Sequence, residues 1–324
     1  MSIVLSHRTA WLVYHAPNRP ACTQRLPSKR SELASSYPSA ALIDQARSLL
    51  VLMGVEAVDL QAIDILVRDG ASRPRCSGVV SHRCAQKLPP RSVCKLAPGI
   101  FVVSPELCFI QMGETFKDER ELIEFGYELC GGYELPPSGE GDYRERLPLA
   151  STEGIRHVIG ELAGMHGIKA ARQAACYIRD GSRSPMETAH VMMVALPKRW
   201  GGLGVKAACM DYRIVVPDQL RMLTRRGSVV CDACVPKAKL DIEYNGFHHD
   251  EEQRKVEDEE RRNVLEAMGF CVKVLTKAAF FNSCSCRRHL LSIMRILRMK
   301  VGELPEGFWV RQEELRRFVL RRWL

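Results

Sequence analysis

Between Val229 and Thr276 the chain carries side chains whose types and spacing suit phosphodiester hydrolysis. Asp232 lies in one apolar run, V-V-C-D-A-C-V, and Glu243 and Asn245 stand two apart in the next, K-L-D-I-E-Y-N-G-F-H-H. Residues two apart on a strand share a face, so Asp232, Glu243 and Asn245 are expected to converge on one point if their strands are neighbours. Such a point suits Mg2+ or Mn2+, because Mg2+ takes one or two carboxylates and leaves its other positions to water and phosphate oxygens. The ion then polarises the phosphate and generates hydroxide. Asp241 shares the face of Glu243 and adds negative potential, while Leu240, Ile242 and Tyr244 form the opposite, buried side. His248 and His249 follow Gly246 and an aromatic residue, and are expected to serve as general acid or base or to contact the scissile phosphate. The competing explanation is an amphipathic strand whose acidic face meets water.

The elements that must position these groups are legible around them. Ser184-Pro185-Met186-Glu187 opens a helix running to about Leu196, with Ser at the N-cap, Pro at the first helical position and Glu at the third. This capping box is a sufficient structural explanation of Glu187. An extended run follows around Tyr212 to Val216, and then the two strands already named. Asp250 to Met268 reads as a helix laced by Glu251 with Lys255, Glu257 with Arg261 and Asp258 with Arg262, all at i,i+4 spacing. Gly269 caps it, and Phe270 to Thr276 returns as a strand. Two strands, a helix and a strand, with a helix in front, make an α/β core.

The combination of Asp232, Ile242-Glu243-Tyr244-Asn245-Gly246, His248-His249, Asp258, Arg261, Leu265, Gly269-Phe270 and Val274-Leu275-Thr276 resembles a family of the PD-(D/E)XK superfamily. That family is a domain of unknown function allied to the very-short-patch mismatch-repair endonucleases. The resemblance covers about residues 184–276 and implies a restriction-endonuclease-like core, a mixed sheet flanked by helices. It implies that Asp232 and Glu243 bind Mg2+ or Mn2+, that Glu187 joins the metal site, and that Asn245 positions water or metal. It also implies that His248 or His249 assists proton transfer, and that Lys255, Arg261 and Arg262 lie near nucleic acid, the two arginines contacting phosphate or bracing the acidic cluster. Two departures stand out. Position 245 is Asn where the family has Asp and the wider superfamily Lys, and the aspartate follows Cys231 instead of proline. Lys255 and Lys273 are the substitutes available for the missing lysine. More loosely, S-H-R-T-A near the start and V-V-S-P-E-L-C at Val102 to Cys108 resemble the N-terminal half of antitoxin-like regulators of the abortive-infection type.

The rest of the chain sets limits on these readings. Its 324 residues suggest more than one domain. We read a mixed α/β N-terminal domain over 1–135, with a regulatory or DNA-binding role, a linker over 136–150 and a helical connector over 151–183. The restriction-endonuclease-like domain follows over 184–300 and a basic amphipathic helix over 301–324. In the first of these, Ala40 to Met53 and Lys117 to Cys130 have helical spacing, Val55 to Val67 is apolar-rich, and Ile100 to Val103 is a short strand. V-L-S-H-R-T-A at Val4 and V-V-S-H-R-C-A at Val79 match at five of seven positions, but nothing around them agrees. Their His7 and His82 are read as turn or cap histidines.

The formal charge is +9, and Arg287 to Leu324 holds ten Lys or Arg against four Asp or Glu, a net +6. A basic tail favours a polyanion, nucleic acid first and a membrane surface second, and solvation of a C-terminal helix explains it equally well. From Val310 on, Val310, Leu315, Phe318, Val319 and Trp323 alternate with Arg311, Arg316, Arg317, Arg321 and Arg322, a pattern that suits docking on the protein's own core, a second subunit or DNA. The thirteen cysteines are odd in number and scattered. Strand alternation sets Cys231 and Cys234 on opposite faces, so reduced thiols are favoured over zinc there and at Cys284, Cys286 and His289. No run is long enough to span a membrane, and Met1 to Arg8 lacks the plan of a signal peptide, so a cytoplasmic protein is expected. There is no phosphate-binding glycine loop or dinucleotide fingerprint, which excludes a nucleotide cofactor of those kinds. Three functions are compatible with these features: a metal-dependent DNA endonuclease or nickase, a catalytically silent, antitoxin-like DNA-binding regulator on the same fold, and an interaction scaffold that uses the C-terminal segment.

Overall fold

The computed structural model describes residues 2–20, 25–26, 38–68, 77–136, 143–224, 226–246 and 252–324. They divide into two compact units, Met1–Cys130 with Glu134–Ile178, and Gly131–Tyr133 with Arg179–Leu324. Each has a mixed sheet flanked by helices, the α/β character expected. None of the helices among the described residues is long and apolar enough to cross a membrane.

The first unit has strands β1 (Ile3–Leu5), β2 (Arg25–Leu26), β3 (Ile63–Val67), β4 (Val79–Arg83), β5 (Val93–Ala97) and β6 (Ile100–Val103), in the order β2-β5-β6-β1-β3-β4. β1 is wholly apolar and buried, which suits its place inside the sheet, parallel to β6 and antiparallel to β3. Its helices are α1 (His7–His15), α2 (Ala40–Leu52), α3 (Pro105–Thr115), α4 (Glu119–Cys130), α5 (Thr152–Glu161) and α6 (Ile168–Ala174). α5 and α6 are separated where Gly164 and Gly167 take positive φ. The apolar stretch from Val55 yields a strand only at β3, because Ala57–Leu60 coils into a 3-10 turn first. Of the two similar heptapeptides, one runs from β1 into α1 and the other lies in β4, so they are not copies of one structural unit. In sequence, a two-residue ribbon of β7 (Tyr133–Glu134) and β8 (Arg144–Glu145) separates the two larger sheets.

The second unit opens with α7 (Pro185–Ala195), followed by β9 (Cys209–Val215), β10 (Ser228–Val235), β11 (Leu240–Asn245), α8 (Glu252–Ala267), β12 (Cys271–Thr276), α9 (Lys277–Phe281), α10 (Ser283–Ile296) and α11 (Phe308–Leu320). The sheet order is β12-β11-β10-β9. β9, β10 and β11 pair antiparallel, β9 and β10 through a longer connection that holds the 3-10 segment Asp218–Leu223 and β10 and β11 through a short one, and β12 lies parallel to β11 because α8 carries the chain back across the sheet. α7 is buried at nine of its positions, as befits a helix packed against both β11 and α11. Below the opposite face, Val264 and Leu265 of α8 join Val229, Cys231, Cys234 and Ile214 in one apolar cluster.

The C-terminal segment departs from the amphipathic pattern read in its sequence. Leu315 and Val319 are buried, but Val310 is 65% exposed and Arg316 is buried at 5%. The reason is a specific clamp. Arg316 Nη1 donates to the carbonyls of Phe280 (3.2 Å) and Phe281 (3.1 Å) at the end of α9, and its Nε and Nη2 reach Glu313 at 2.8 and 2.7 Å. The helix therefore docks on its own core.

Candidate active site

The β10–β11 ladder runs from Val235↔Leu240 through Cys234↔Asp241 and stops at Ala233↔Ile242. Beyond that point the strands part, and the Asp232 carboxylate accepts the backbone N–H of Tyr244 through Oδ2 at 3.3 Å. Across the other edge of β10, the β9–β10 pairing skips Asp232 between Cys231↔Tyr212 and Ala233↔Met210, opposite Asp211 at φ +46°. Alternation along β10 is disturbed at this place. Asp232 and Ala233 line the same small void on the α7 side, together with Glu187, His190, Ile242 and Tyr244. For the same reason Cys231 and Cys234 both face α8 and lie within hydrogen-bonding reach of each other, not on opposite faces as strict alternation predicts. Cys234 and burial together keep the Cys231 thiol protonated.

Glu187 satisfies its capping box and also faces the strands. Ser184 Oγ accepts the Glu187 N–H at 3.1 Å and donates to Glu187 Oε1 at 3.0 Å, while Oε2 accepts from the Arg183 N–H at 2.9 Å. Burial, followed by the charge of Asp232, pushes the Glu187 carboxyl up to about 7. Arg183 is itself held by an ion pair with Asp211. Gly181, at φ +88°, permits that approach, since a Cβ there would lie 2.7 Å from the Asp211 Cβ.

On the α8 side, Asp241 and Glu243 are buried at 0% and 8% exposure, so the acidic face of β11 does not meet water. Arg261 of α8 reaches Glu243 Oε1 with Nη2 at 2.6 Å and donates a hydrogen bond from Nη1 to the Val230 carbonyl at 3.0 Å. The contact to Glu243 is an ion pair and not an aligned hydrogen bond, since Oε1 has no directed donor. Burial works against the Arg261 charge, but Glu243, Asp232, Asp241 and Asp258 outweigh it and hold the guanidinium charged. The carboxylates still outnumber the cation. Burial and the hydrogen bond to Asp241 push Glu243 up to about 8, burial pushes Asp241 up to about 7, and burial with the charge of Glu243 raises Asp232. Apart from the Glu243 carboxyl and the Cys231 thiol, both oxygens of Asp241 lack a hydrogen-bond donor. The site therefore holds excess buried negative charge, which a proton or a cation can neutralise.

The sequence thus anticipates Asp232, Glu187 and Glu243 as residues of one neighbourhood, although Asp232 and Glu187 meet on the α7 side and Glu243 stands on the α8 side. Asn245 is exposed at the end of β11, in register with Thr276. Arg262 is exposed on α8, and Lys255 lies in the first part of that helix. His248 and His249 lie outside the described residues. Of the i,i+4 pairs expected along α8, Glu257 with Arg261 gives way to partners elsewhere, and Glu251, the expected partner of Lys255, lies outside the described residues. Arg261 turns to Glu243, with Asp258 at 4.0 Å, and Glu257 takes Arg226 at 2.6 Å.

Two histidines that the sequence reading did not connect complete the α7 side. His190 Nε2 and His289 Nε2 are 3.0 Å apart. Burial and the facing His289 lower His190 well below the usual histidine range, and burial with nearby Lys273 lowers His289 to about 4. Both rings are neutral at pH 7, one donating and the other accepting. His190 is three residues after Glu187 on α7, a spacing that does mark a shared face. Cys284 is exposed and Cys286 is buried, both as free thiols. Among the described residues no three His, Cys, Asp or Glu side chains are grouped tightly enough to enclose a metal ion by themselves.

Mg2+ requires less than such a cage, because one or two carboxylates with water suffice. The donor set of hard carboxylate oxygens, among them Glu243 Oε1 and both Asp241 oxygens without an aligned backbone, amide or guanidinium donor, is of the kind it takes. Comparison of the chain with protein-family models, with curated proteins and with solved structures gives no match.

Proposed function

We propose that the second unit is a metal-dependent DNA endonuclease or nickase built on a restriction-endonuclease-like core. The observation that carries the reading is the parting of β10 and β11 at Ala233↔Ile242, beside which Asp232 and Glu243 stand within each other's electrostatic influence. The order of elements supports it too. A helix bearing Glu187 precedes an antiparallel pair bearing the two carboxylates, and a crossover helix leads to a parallel closing strand.

In this reading Asp232 and Glu243 would hold Mg2+ or Mn2+, which when bound supplies Lewis acidity and a low-pKa water. Glu187, about half protonated near pH 7, accepts a proton from the attacking water. Arg261 orients Glu243 and offsets part of the acidic charge, and so acts as a positioning residue. Asn245, at the exposed end of β11, orients water by hydrogen bonding in place of a lysine. Exposed Arg262 on α8 and Arg287 and Arg288 on α10 supply positive charge for the DNA backbone.

A second reading, a catalytically silent DNA-binding regulator, is favoured by one specific pair of facts. Position 245 is Asn, and Glu243 is already engaged by Arg261 at 2.6 Å. Metal-dependent strand scission separates the two: the first reading requires it, and the second predicts salt-dependent DNA binding alone.

A further inference from the structure

The first unit contains an open cavity of ≈ 530 Å3 that takes no part in the chemistry above. It is within the size range of small-molecule sites. His7 and His82, carried by the two similar heptapeptides, form part of its wall as a stacked pair with ring centroids 3.5 Å apart and planes at 18°. Asp64 fixes His82 through Oδ1···Nε2 at 2.7 Å and is itself held by Thr9, whose Oγ1 donates to Oδ2 at 3.3 Å and accepts the Asp64 N–H at 2.7 Å. His7 sits at the first position of α1 with φ +46°, a conformation that L residues adopt only when their surroundings impose it.

Two groups in this wall ask for an acceptor oxygen. The first is Gln111. Its Oε1 accepts the His7 N–H at 3.0 Å, which fixes the amide's orientation, and its Nε2 is then a donor without a protein partner in a residue 1% exposed. An unmet buried donor is costly, so a ligand oxygen that meets it is bound with a corresponding gain. From α1 the wall takes His7, whose N–H is already given to Gln111 Oε1, so the start of the helix lends the cavity its dipole and not a free donor. The second is Arg83, exposed at the cavity's edge. The acidic residue in the wall, Glu114, is engaged by His166 at 3.6 Å. His7 adds no charge of its own, since burial and the neighbouring His82 lower it to about 3.

We propose that this cavity binds a phosphoryl group, presented by free phosphate or by a phosphate monoester of mononucleotide size, with an oxygen on Gln111 Nε2 and its charge facing Arg83. The remaining volume accommodates the rest of an ester.

The test is calorimetric titration of the full chain with inorganic phosphate, adenosine 5′-monophosphate and adenosine. Saturable binding of phosphate or the monophosphate, with none of adenosine, is expected. A tighter monophosphate assigns the ester, and equal affinities assign free phosphate. Gln111→Glu keeps the acceptor for His7 and replaces the donor with a carboxylate oxygen, and it should weaken binding about tenfold or more. Arg83→Ala, at an exposed position that folding does not need, should weaken it about fivefold or more and carries the test if the first variant does not fold. Adenosine binding as well as its monophosphate, a folded wild type that binds neither anion at millimolar concentration, or unchanged affinity in the folded variants would overturn the proposal.

Discussion

The carboxylate of Asp232 accepts the backbone N–H of Tyr244 at 3.3 Å, so a side chain replaces a strand-to-strand bond at the point where β10 and β11 part. The replacement brings Asp232 between the two faces of the sheet. Glu187 approaches it from α7, and Glu243 acts on it from the side that faces α8. Opening the ladder by one residue thus places an acidic group where both layers can reach it.

The excess of buried carboxylates has a pH signature in the absence of added metal. Asp241 is raised from an ordinary 3.8 to about 7 in the folded protein, so the folded state binds more protons than the unfolded one between these values. Its contribution to stability is therefore intact below about pH 4 and declines as pH rises toward 7. Asp241→Asn removes that loss and should stabilise the protein at pH 8 by roughly 1 to 3 kcal/mol, with a smaller gain at pH 5. Urea unfolding of both proteins at the two pH values measures this, and a destabilised variant at pH 8 would contradict it.

Arg261 is placed as a brace of Glu243, not as a phosphate contact. Arg261→Gln should lower stability by roughly 2 to 4 kcal/mol, because Glu243 loses its partner in a buried setting. The salt dependence of DNA binding should stay unchanged. A phosphate contact would instead reduce the slope of log K against log salt by about 0.9.

Much of this arrangement is legible in residue order, and the exceptions have physical causes. Ser184, Pro185 and Glu187 announce the start of α7 because a capping box depends only on neighbours in sequence. The alternation of β11 likewise identifies Ile242 and Tyr244 as one face. The Arg261 partner is not legible, since i,i+4 spacing offers Glu257 while the fold offers a buried Glu243 at 2.6 Å. Cys231 and Cys234 share a side because the strand is disturbed at Asp232, which periodicity cannot reveal. The facing of His190 and His289 joins positions 99 residues apart and depends on how α7 and α10 pack over the sheet.

Arg316 anchors the last helix through the carbonyl groups of Phe280 and Phe281. Arg316→Ala should destabilise the second unit by roughly 2 to 4 kcal/mol, and Arg316→Lys, which keeps the charge without the fork, by an intermediate amount. Hydrogen bonding from Arg316 holds Glu313 down at about 2, so the Glu313 contribution is present above the ordinary glutamate pKa of 4.5 and fades as pH falls toward 2. Thermal unfolding at pH 7 and pH 3 reads both effects, and an unchanged midpoint in Arg316→Ala would contradict the clamp.

Asn245 stands two residues beyond Glu243 at the exposed end of β11, where a longer cationic side chain has room. If orientation of the nucleophilic water limits the rate, Asn245→Lys should raise metal-dependent cleavage about tenfold or more while leaving DNA affinity within about threefold. Equal rates for the two proteins would show that the amide at 245 is not limiting.

The most direct test compares wild type with Glu243→Gln on supercoiled plasmid and single-stranded DNA, in Mg2+, Mn2+ or EDTA. The nuclease account predicts nicking or linearisation by wild type with either metal, none in EDTA, and loss of at least about a hundredfold in the folded variant. Intact DNA in the presence of a folded wild type that binds it in a salt-dependent manner would contradict the account and leave the silent regulator in its place.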